Sequence, residues 1–577
     1  MNGLFAFSKK YYLRYKLRLC IGFLLIIISN ILTLIPIPYV GKSINAIKNL
    51  FMNLSTNATD SYNIKKKILI YTGIILMGPI IGGIIKYHMR KCIISTSRMI
   101  EFDIKNQIFT HYQKLSLSFY KKNSTGDLMN RLTEDVSFIR QYIGPGIMYF
   151  VNLIILFFMV IVQMLKIGKT LTFYVIAPIP ILFILIYYIS IFISKKSKKI
   201  QNYQSFTSSF IQETFSGIHI IKSFVAESIF QKKYKKIVQN YRKKNIELSK
   251  IDTLLSSVII FFIGISYLMI IFFGGKKYYL GEIKEIGIIA EFFTYINVLV
   301  FPFIILGWVV SIVEKAKVSQ VRIKEFLNEK PNIYNNNILT KTKIFGNIDF
   351  KNVSFFYDKK IFYEKKNYTI NKISFSLKSG KTLVLTGETG SGKTTIGKLI
   401  SRLYDPIHGE IIVDNVNLKN HNLFSFRKNI GYAPQESFLF SDSIYNNIAL
   451  GCIGRVTHYK VHSAAKMAMI ENDILNFKNG YDTIIGERGI TLSGGQKQRI
   501  CIARAIIRKP KIIIFDDSFS AIDQKTRKLM IYHIKKGLKN STIIIITHDT
   551  SYIQDYDLFI SLKNGKISII EEKNIFS

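Results

Sequence analysis

Gly387-Glu388-Thr389-Gly390-Ser391-Gly392-Lys393-Thr394 stands between the apolar run Thr382–Thr386 and the helix-patterned stretch Thr395–Leu403. This is G-x-x-x-x-G-K-[ST] in a strand, loop and helix setting. Glycines let successive backbone N–H groups curl around a phosphate, and the N-terminus of the helix that follows adds positive potential. Lys393 is expected to reach the β- and γ-phosphates of a nucleotide, and Thr394 to ligate Mg²⁺.

Downstream, Ile512-Ile513-Ile514-Phe515-Asp516 reads as a buried strand ending in a carboxylate that holds Mg²⁺ through water. Asp517 beside it is the candidate acceptor of a proton from an attacking water. Between the two elements, Leu492-Ser493-Gly494-Gly495-Gln496 runs into the helical stretch Lys497–Ala505. A Ser-Gly-Gly step at a helix start offers N–H groups and a hydroxyl to an anion. Because one phosphate cradle already exists, this second step either binds another ligand or completes a site elsewhere.

The upstream half is of another kind. Six stretches are free or nearly free of charge: Leu19–Val40, Ile68–Ile85, Gln141–Leu165, Thr170–Ser194, Thr253–Gly275 and Ile286–Val313. Each suffices for a membrane-crossing helix of about 20 residues. Helices satisfy their backbone internally, which lipid demands. Lys and Arg number 28 in residues 1–18, 86–140 and 195–250, against 8 in 42–65, 166–169 and 276–285. Both chain ends are therefore expected to be cytoplasmic. The long charged connection 195–250 reads as helical extension beyond the bilayer. Prolines 36, 38, 79, 178, 180 and 302 lie in or at span ends and predict interruptions. Glu291 falls inside the sixth span, where a charge marks a substrate cavity or snorkels to the nearby interface.

At 577 residues several domains are expected. The reading is a six-span polytopic α-helical membrane domain over 1–327, a polar linker over 328–344 and an α/β P-loop domain over 345–577. Hydrophobic residues make up 49% of the chain and sit in long runs, which excludes a disordered or purely soluble protein. The net charge of +42 raises nucleic-acid binding as a reading. The abundance of Lys, Asn, Ile, Phe and Tyr is what A+T-rich coding produces, and clusters such as Lys232–Lys236 read as solvated helix faces, so no nucleic-acid partner is expected. The 4 cysteines are too dispersed for a disulfide framework or a metal knuckle.

The order Walker A, LSGGQ, Walker B and Thr547-His548-Asp549 after the strand Thr542–Ile546 resembles an ATP-binding cassette (ABC) transporter. With six spans ahead of the cassette, the chain resembles a bacterial half-size exporter, similar to the multidrug-resistance-like proteins and lipid A flippases. The resemblance implies ATP and Mg²⁺ as cofactors, held by Gly387 through Thr395. It implies that Tyr357 stacks on adenine, that Gln435 senses Mg²⁺ and the γ-phosphate, and that His548 is the switch histidine. Gly486–Gly489 resembles the exporter-specific loop and Ser520–Asp523 the D-loop; Leu117–Asp135 and Glu213–Glu227 resemble the coupling loops. Family ATP is sandwiched between Walker A of one subunit and Ser493, Gly494, Gly495 and Gln496 of the other, so the chain is expected to dimerise. The implied function is ATP-driven export, or inner-to-outer leaflet flipping, of an amphipathic drug or lipid across the bacterial inner (cytoplasmic) membrane; the alternative is an ATP-gated channel or regulator.

Two departures matter. Asp517 stands where the family usually has Glu, and the missing methylene retracts the carboxylate by about 1.5 Å. Slow hydrolysis at this site is expected, and a heterodimer is favoured over a homodimer, since the intact LSGGQ then serves a partner chain. Asp358–Asn371 is also longer and more charged than usual.

Overall fold

The protein is represented by a computed structural model that describes residues 2–52, 58–335, 343–357, 368–486, 492–553 and 555–572. It forms two compact units: Met1–Gln113 with Thr125–Glu329, and Lys114–Ser124 with Lys330–Ser577.

The described part of the first unit is helical. Six helical rods are long and apolar enough to cross a membrane: Lys16–Phe51, Tyr62–Lys114, Thr125–Ile167, Lys169–Ser197, Glu227–Tyr279 and Gly287–Asn328. The first five each contain one of the uncharged runs, and the sixth contains all of its run but the first residue, Ile286. Tyr62–Lys114 and Glu227–Tyr279 have 53 residues each. At about 1.5 Å per residue they far exceed a hydrocarbon core of about 30 Å, so both run on as charged extensions. Pro36 and Pro178 each open a new helical segment, whereas Pro79 and Pro302 lie inside continuous helices. Lacking an N–H, proline interrupts the ladder most easily where a segment can restart. Among the described residues three π-helical turns occur, Arg131–Asp135, Tyr142–Gly146 and Ile270–Gly274, and no apolar period in the sequence announces them.

Val160, Val175, Ile270, Phe292, Leu299 and Phe303 form the core of this bundle, while Ile80, Phe158, Ile184, Phe261 and Phe272 point outward, as lipid contact requires. Glu291 does not snorkel: it is 9% exposed and lies against Gly41, where an added Cβ would meet its Oε1 at 2.3 Å. Glycine there permits close helix approach around a buried carboxyl group.

The second unit is built on two sheets. An antiparallel sheet has the order β2-β1-β4-β5, from β1 (Ile348–Phe355), β2 (Ile370–Leu377), β4 (His408–Val413) and β5 (Val416–Asn417). The larger sheet runs β10-β9-β3-β8-β7-β6, from β3 (Thr382–Gly387), β6 (Ile430–Ala433), β7 (Ile512–Asp516), β8 (Thr542–Ile546), β9 (Leu558–Lys563) and β10 (Lys566–Glu572). The strands from β9 to β6 are parallel, with β10 an antiparallel edge. Ile513, Phe515, Ile543 and Ile545 feed one core and Ile512, Ile514, Ile544 and Ile546 the other. Burial on both faces is why β7 and β8 are unbroken apolar runs.

Candidate functional site

The site lies at the C-terminal ends of β3 and β7. Ile514 and Phe515 of β7 pair with Ile544 and Ile545 of β8, and Val384 and Leu385 of β3 pair with Ile545 and Ile546, so β8 separates and aligns the two functional strand ends.

β3 ends at Gly387, whose φ is +142° and whose added Cβ would lie 2.2 Å from the Leu562 carbonyl oxygen. Gly392 has φ +103°, caps the helix Lys393–Ile400, and would place a Cβ 2.7 Å from the Thr369 carbonyl oxygen. Only glycine fits either turn. The helix begins two residues before the stretch read from sequence, because Lys393 and Thr394 form its first turn. Glu388, Thr389 and Gly390 are the exposed loop tip.

Lys393 is 6% exposed, and its ammonium donates to the carbonyl oxygens of Gly387 at 2.7 Å and Glu388 at 2.8 Å. Burial pushes its pKa down, against the opposing pull of Asp517 and Asp516. Ser391 Oγ is buried without a hydrogen-bond partner. An unsatisfied hydroxyl and a buried ammonium beside a glycine turn fit a polyphosphate.

Thr394 Oγ1 donates to Asp516 Oδ1 at 2.8 Å, and the Tyr432 hydroxyl donates to Asp516 Oδ2 at 2.7 Å. Both carboxylate oxygens are thereby oriented at the end of β7. A hydroxyl and a carboxylate are hard oxygen donors, which suits Mg²⁺. Tyr432 was missed in the sequence; it sits on β6, beside Ile514 of β7, and has no motif of its own.

Asp517 has φ +47° and donates its N–H to the Ile546 carbonyl oxygen at 2.8 Å, which turns the chain sharply at the strand end. Burial raises its carboxyl pKa above the usual range, while His548, Lys393 and Arg527 pull it back and Asp516 pushes it further. Among the described residues neither Gln435 nor His548 makes a side-chain hydrogen bond; both are exposed, Gln435 two residues past β6 and His548 two past β8.

Tyr357 follows β1. Its hydroxyl is 3.0 Å from Thr395 Oγ1, and Phe355 and Tyr404 meet its ring edge-on at 5.0 and 5.2 Å. The Lys121 ammonium stands 4.2 Å from its ring centroid, a cation–π contact from a segment distant in sequence.

Ser493 caps the helix Gly494–Ile506, three residues earlier than the predicted Lys497 start, in a capping box with Gln496. The Gln496 side chain also donates to Asp473 at 2.9 Å. A Cβ on Gly495 would approach the Ala521 carbonyl oxygen at 2.8 Å. Among the described residues no hydrogen bond joins Ser493–Gln496 to Gly387–Thr395. Gln498 connects this helix to the next loop: it donates to Ser520 Oγ at 2.9 Å and accepts from the Ala521 N–H at 2.8 Å.

Residues 19–303 match the ABC transporter transmembrane region, and residues 370–520 match the ABC transporter domain. The chain is 35% identical, over 88% of its length and 86% of the relative's, to the multidrug resistance-like ATP-binding protein MdlA of Buchnera aphidicola subsp. Baizongia pistaciae. The chain belongs to the ATP-binding cassette transporter family. A further ABC relative is the ATP-dependent lipid A-core flippase of Haemophilus influenzae, 28% identical over 85% of this chain and 82% of that one. The fold matches a solved bacterial Atm1-family ABC exporter with ATP bound, at TM-score 0.81 and 23% identity over 96% of this chain and 95% of that one.

The chain thus carries the multi-span membrane region and the ATP-binding cassette of an ABC exporter. In its membrane unit, Asp127 of the first coupling-loop stretch pairs with Arg131 at 2.7 Å and with Arg322 of the last long helix. Asp135 accepts from Ser319 at 2.7 Å and lies 3.2 Å from Arg322. In the second stretch, Ile221 of the short helix Ile218–Ser223 is buried. Residues 487–489 of the stretch that resembles the exporter-specific loop, and 358–367 of the charged stretch after β1, lie outside the described residues.

Proposed function

We propose that this chain is one half of a dimeric pump that uses ATP hydrolysis to export, or flip from inner to outer leaflet, an amphipathic or lipid-like molecule across the bacterial cytoplasmic membrane. The observation that carries this reading is the 2.8 Å contact between Thr394 and Asp516, which ties the phosphate loop to the carboxylate strand on a chain with six spans. Residues 1–327 are the transport domain, 328–344 the linker and 345–577 the motor, with both chain ends in the cytoplasm as the Lys and Arg excess argues.

Gly387–Thr395 cradle the β- and γ-phosphates and Lys393 leaves its carbonyl partners for them; Tyr357 holds the adenine. Thr394, Asp516 and Gln435 hold Mg²⁺, which when bound neutralises charge developing on the phosphates. Asp517 accepts the proton of the attacking water and His548 orients the γ-phosphate. Asp517, one methylene short, makes this chain's own site slow, while Ser493–Gln496 complete the site of a second half-transporter, a heterodimeric partner. Relatives named as a multidrug resistance-like protein and a lipid A-core flippase support an amphipathic cargo.

The test is transport. The Asp517→Glu chain in proteoliposomes accumulates a fluorescent amphiphile against its gradient when Mg-ATP is supplied, and the same chain with Lys393→Ala does not. ATP-dependent current without accumulation would contradict the pump and point to a gated channel.

A further inference from the structure

The membrane unit contains a cavity of about 230 Å³ where four helices meet, and its lining is chemically lopsided. Lys86 and Arg90 stand one turn apart on the helix Ala58–Lys114; both are exposed and line the cavity. Like charges at this spacing repel. Among the described residues no carboxylate forms an ion pair with either. Asn30, from Lys16–Leu34, lines the same cavity, is 2% exposed, and its Nδ2 has no hydrogen-bond partner. A buried amide donor without an acceptor is costly unless something fills the place. Asn152, from Ile147–Ile167, adds a second amide. Apart from Thr33, whose hydroxyl is bonded to the Ser29 carbonyl oxygen, and Tyr149, the remaining wall is apolar, including buried Leu156 and Phe301, which is 60% exposed.

Two unpaired cations and a donor lacking an acceptor call for an anion. Drug-sized ligands occupy about 300–1,000 Å³, so the cavity holds a headgroup and leaves the rest of the molecule along the exposed apolar wall. A larger cavity of about 500 Å³ on the same helix Ile147–Ile167 is lined by apolar side chains and Tyr187, and so selects no headgroup. We infer that Lys86, Arg90 and Asn30 form a binding site for the anionic, phosphate-type headgroup of a single-tailed or multi-tailed amphiphile. The inference rests on the export reading, for which it names the cargo class.

The chain carries its own reporter. Its 1 tryptophan, Trp308, meets the cavity-lining Tyr149 edge-on at 6.1 Å, so occupancy alters its fluorescence. The full chain in phosphatidylcholine nanodiscs, without ATP, is titrated with dodecyl phosphate, dodecylphosphocholine and inorganic phosphate. Dodecyl phosphate saturates the Trp308 signal at a concentration about tenfold or more below that of dodecylphosphocholine, and inorganic phosphate binds more weakly than either. The Lys86→Gln/Arg90→Gln chain loses that preference, whereas Lys86→Arg keeps it; neither exposed position supports the core, and Trp308 emission checks the fold of each.

Equal affinity for the two amphiphiles, or an unchanged preference in the double variant, would overturn the site. Inorganic phosphate binding as tightly as dodecyl phosphate would mean a free-anion site, which also overturns it. If dodecyl phosphate binds as stated while the Asp517→Glu chain fails to transport, the site stands and the pump reading falls.

Discussion

Gly387–Thr395 and Ser493–Gln496 are both glycine-rich steps into a helix, yet their polar groups are satisfied in different ways. In the first, Ser391 Oγ lacks a partner and the Lys393 ammonium rests on two carbonyl oxygens of its own loop. In the second, Ser493 and Gln496 cap each other and Gln496 reaches Asp473. The first is a site whose best partner is a ligand. The second is a finished helix start whose remaining donors are the first backbone N–H groups. Position in the unit follows the same division: the first joins Asp516 and Tyr357 through Thr394 and Thr395, while the second is anchored to Asp473 and, through Gln498, to Ser520 and Ala521. On the proposed reading, each chain offers a phosphate cradle at one place and the LSGGQ segment for a partner at another.

The sharpest way to break this comparison is complementation. In the Asp517→Glu background, Lys393→Ala chains and Ser493→Ala chains are each expected to lose ATP turnover by about a hundredfold or more. Mixing the two restores turnover, because an intact loop meets an intact signature across the dimer. No recovery would mean that both elements act on one nucleotide within one chain.

A smaller effect concerns pH. Because burial raises the Asp517 pKa, its base form is lost on acidification sooner than a normal aspartate, whose value is 3.8. The acid limb of the pH–rate profile should therefore lie above that value. His548 lowers the Asp517 pKa, so His548→Ala should move the limb to higher pH, alongside any loss of rate; a limb that stays put would show that the two groups are not coupled.

The smallest expected effect tests the bridge between the two regions. Gln498→Leu removes two half-buried hydrogen bonds, to Ser520 and Ala521, and should cost about 1–3 kcal/mol in thermal unfolding. ATP affinity at Gly387–Thr395, measured with a fluorescent nucleotide, should not change, because Gln498 touches only the second region.

Legibility in the sequence followed the kind of signal each residue carried. The loop, Ile512–Asp516 and the six apolar runs were readable because glycine spacing and unbroken hydrophobicity are local properties. The helix starts at Lys393 and Gly494 lie two and three residues ahead of the predicted ones, since Gly392 and Ser493 are caps whose effect depends on backbone geometry. Tyr432, Gln498, Arg322 and Lys121 were not readable as partners. Each reaches its contact across a strand, a loop or a helix pair, and nothing in its own neighbourhood of sequence announces that. Asn30 was hidden for the opposite reason: a lone polar residue in an apolar run looks inert until burial and the absence of a partner are visible.

The most direct test of the central claim, a complete cradle that lacks an adequate base, is Mg-ATP hydrolysis by the purified chain in nanodiscs beside its Asp517→Glu and Lys393→Ala variants. The account predicts slow but measurable turnover for the unmodified chain, a rise of about a hundredfold in Asp517→Glu, and none in Lys393→Ala. Robust turnover by the unmodified chain that Lys393→Ala abolishes would contradict it and identify a working homodimer.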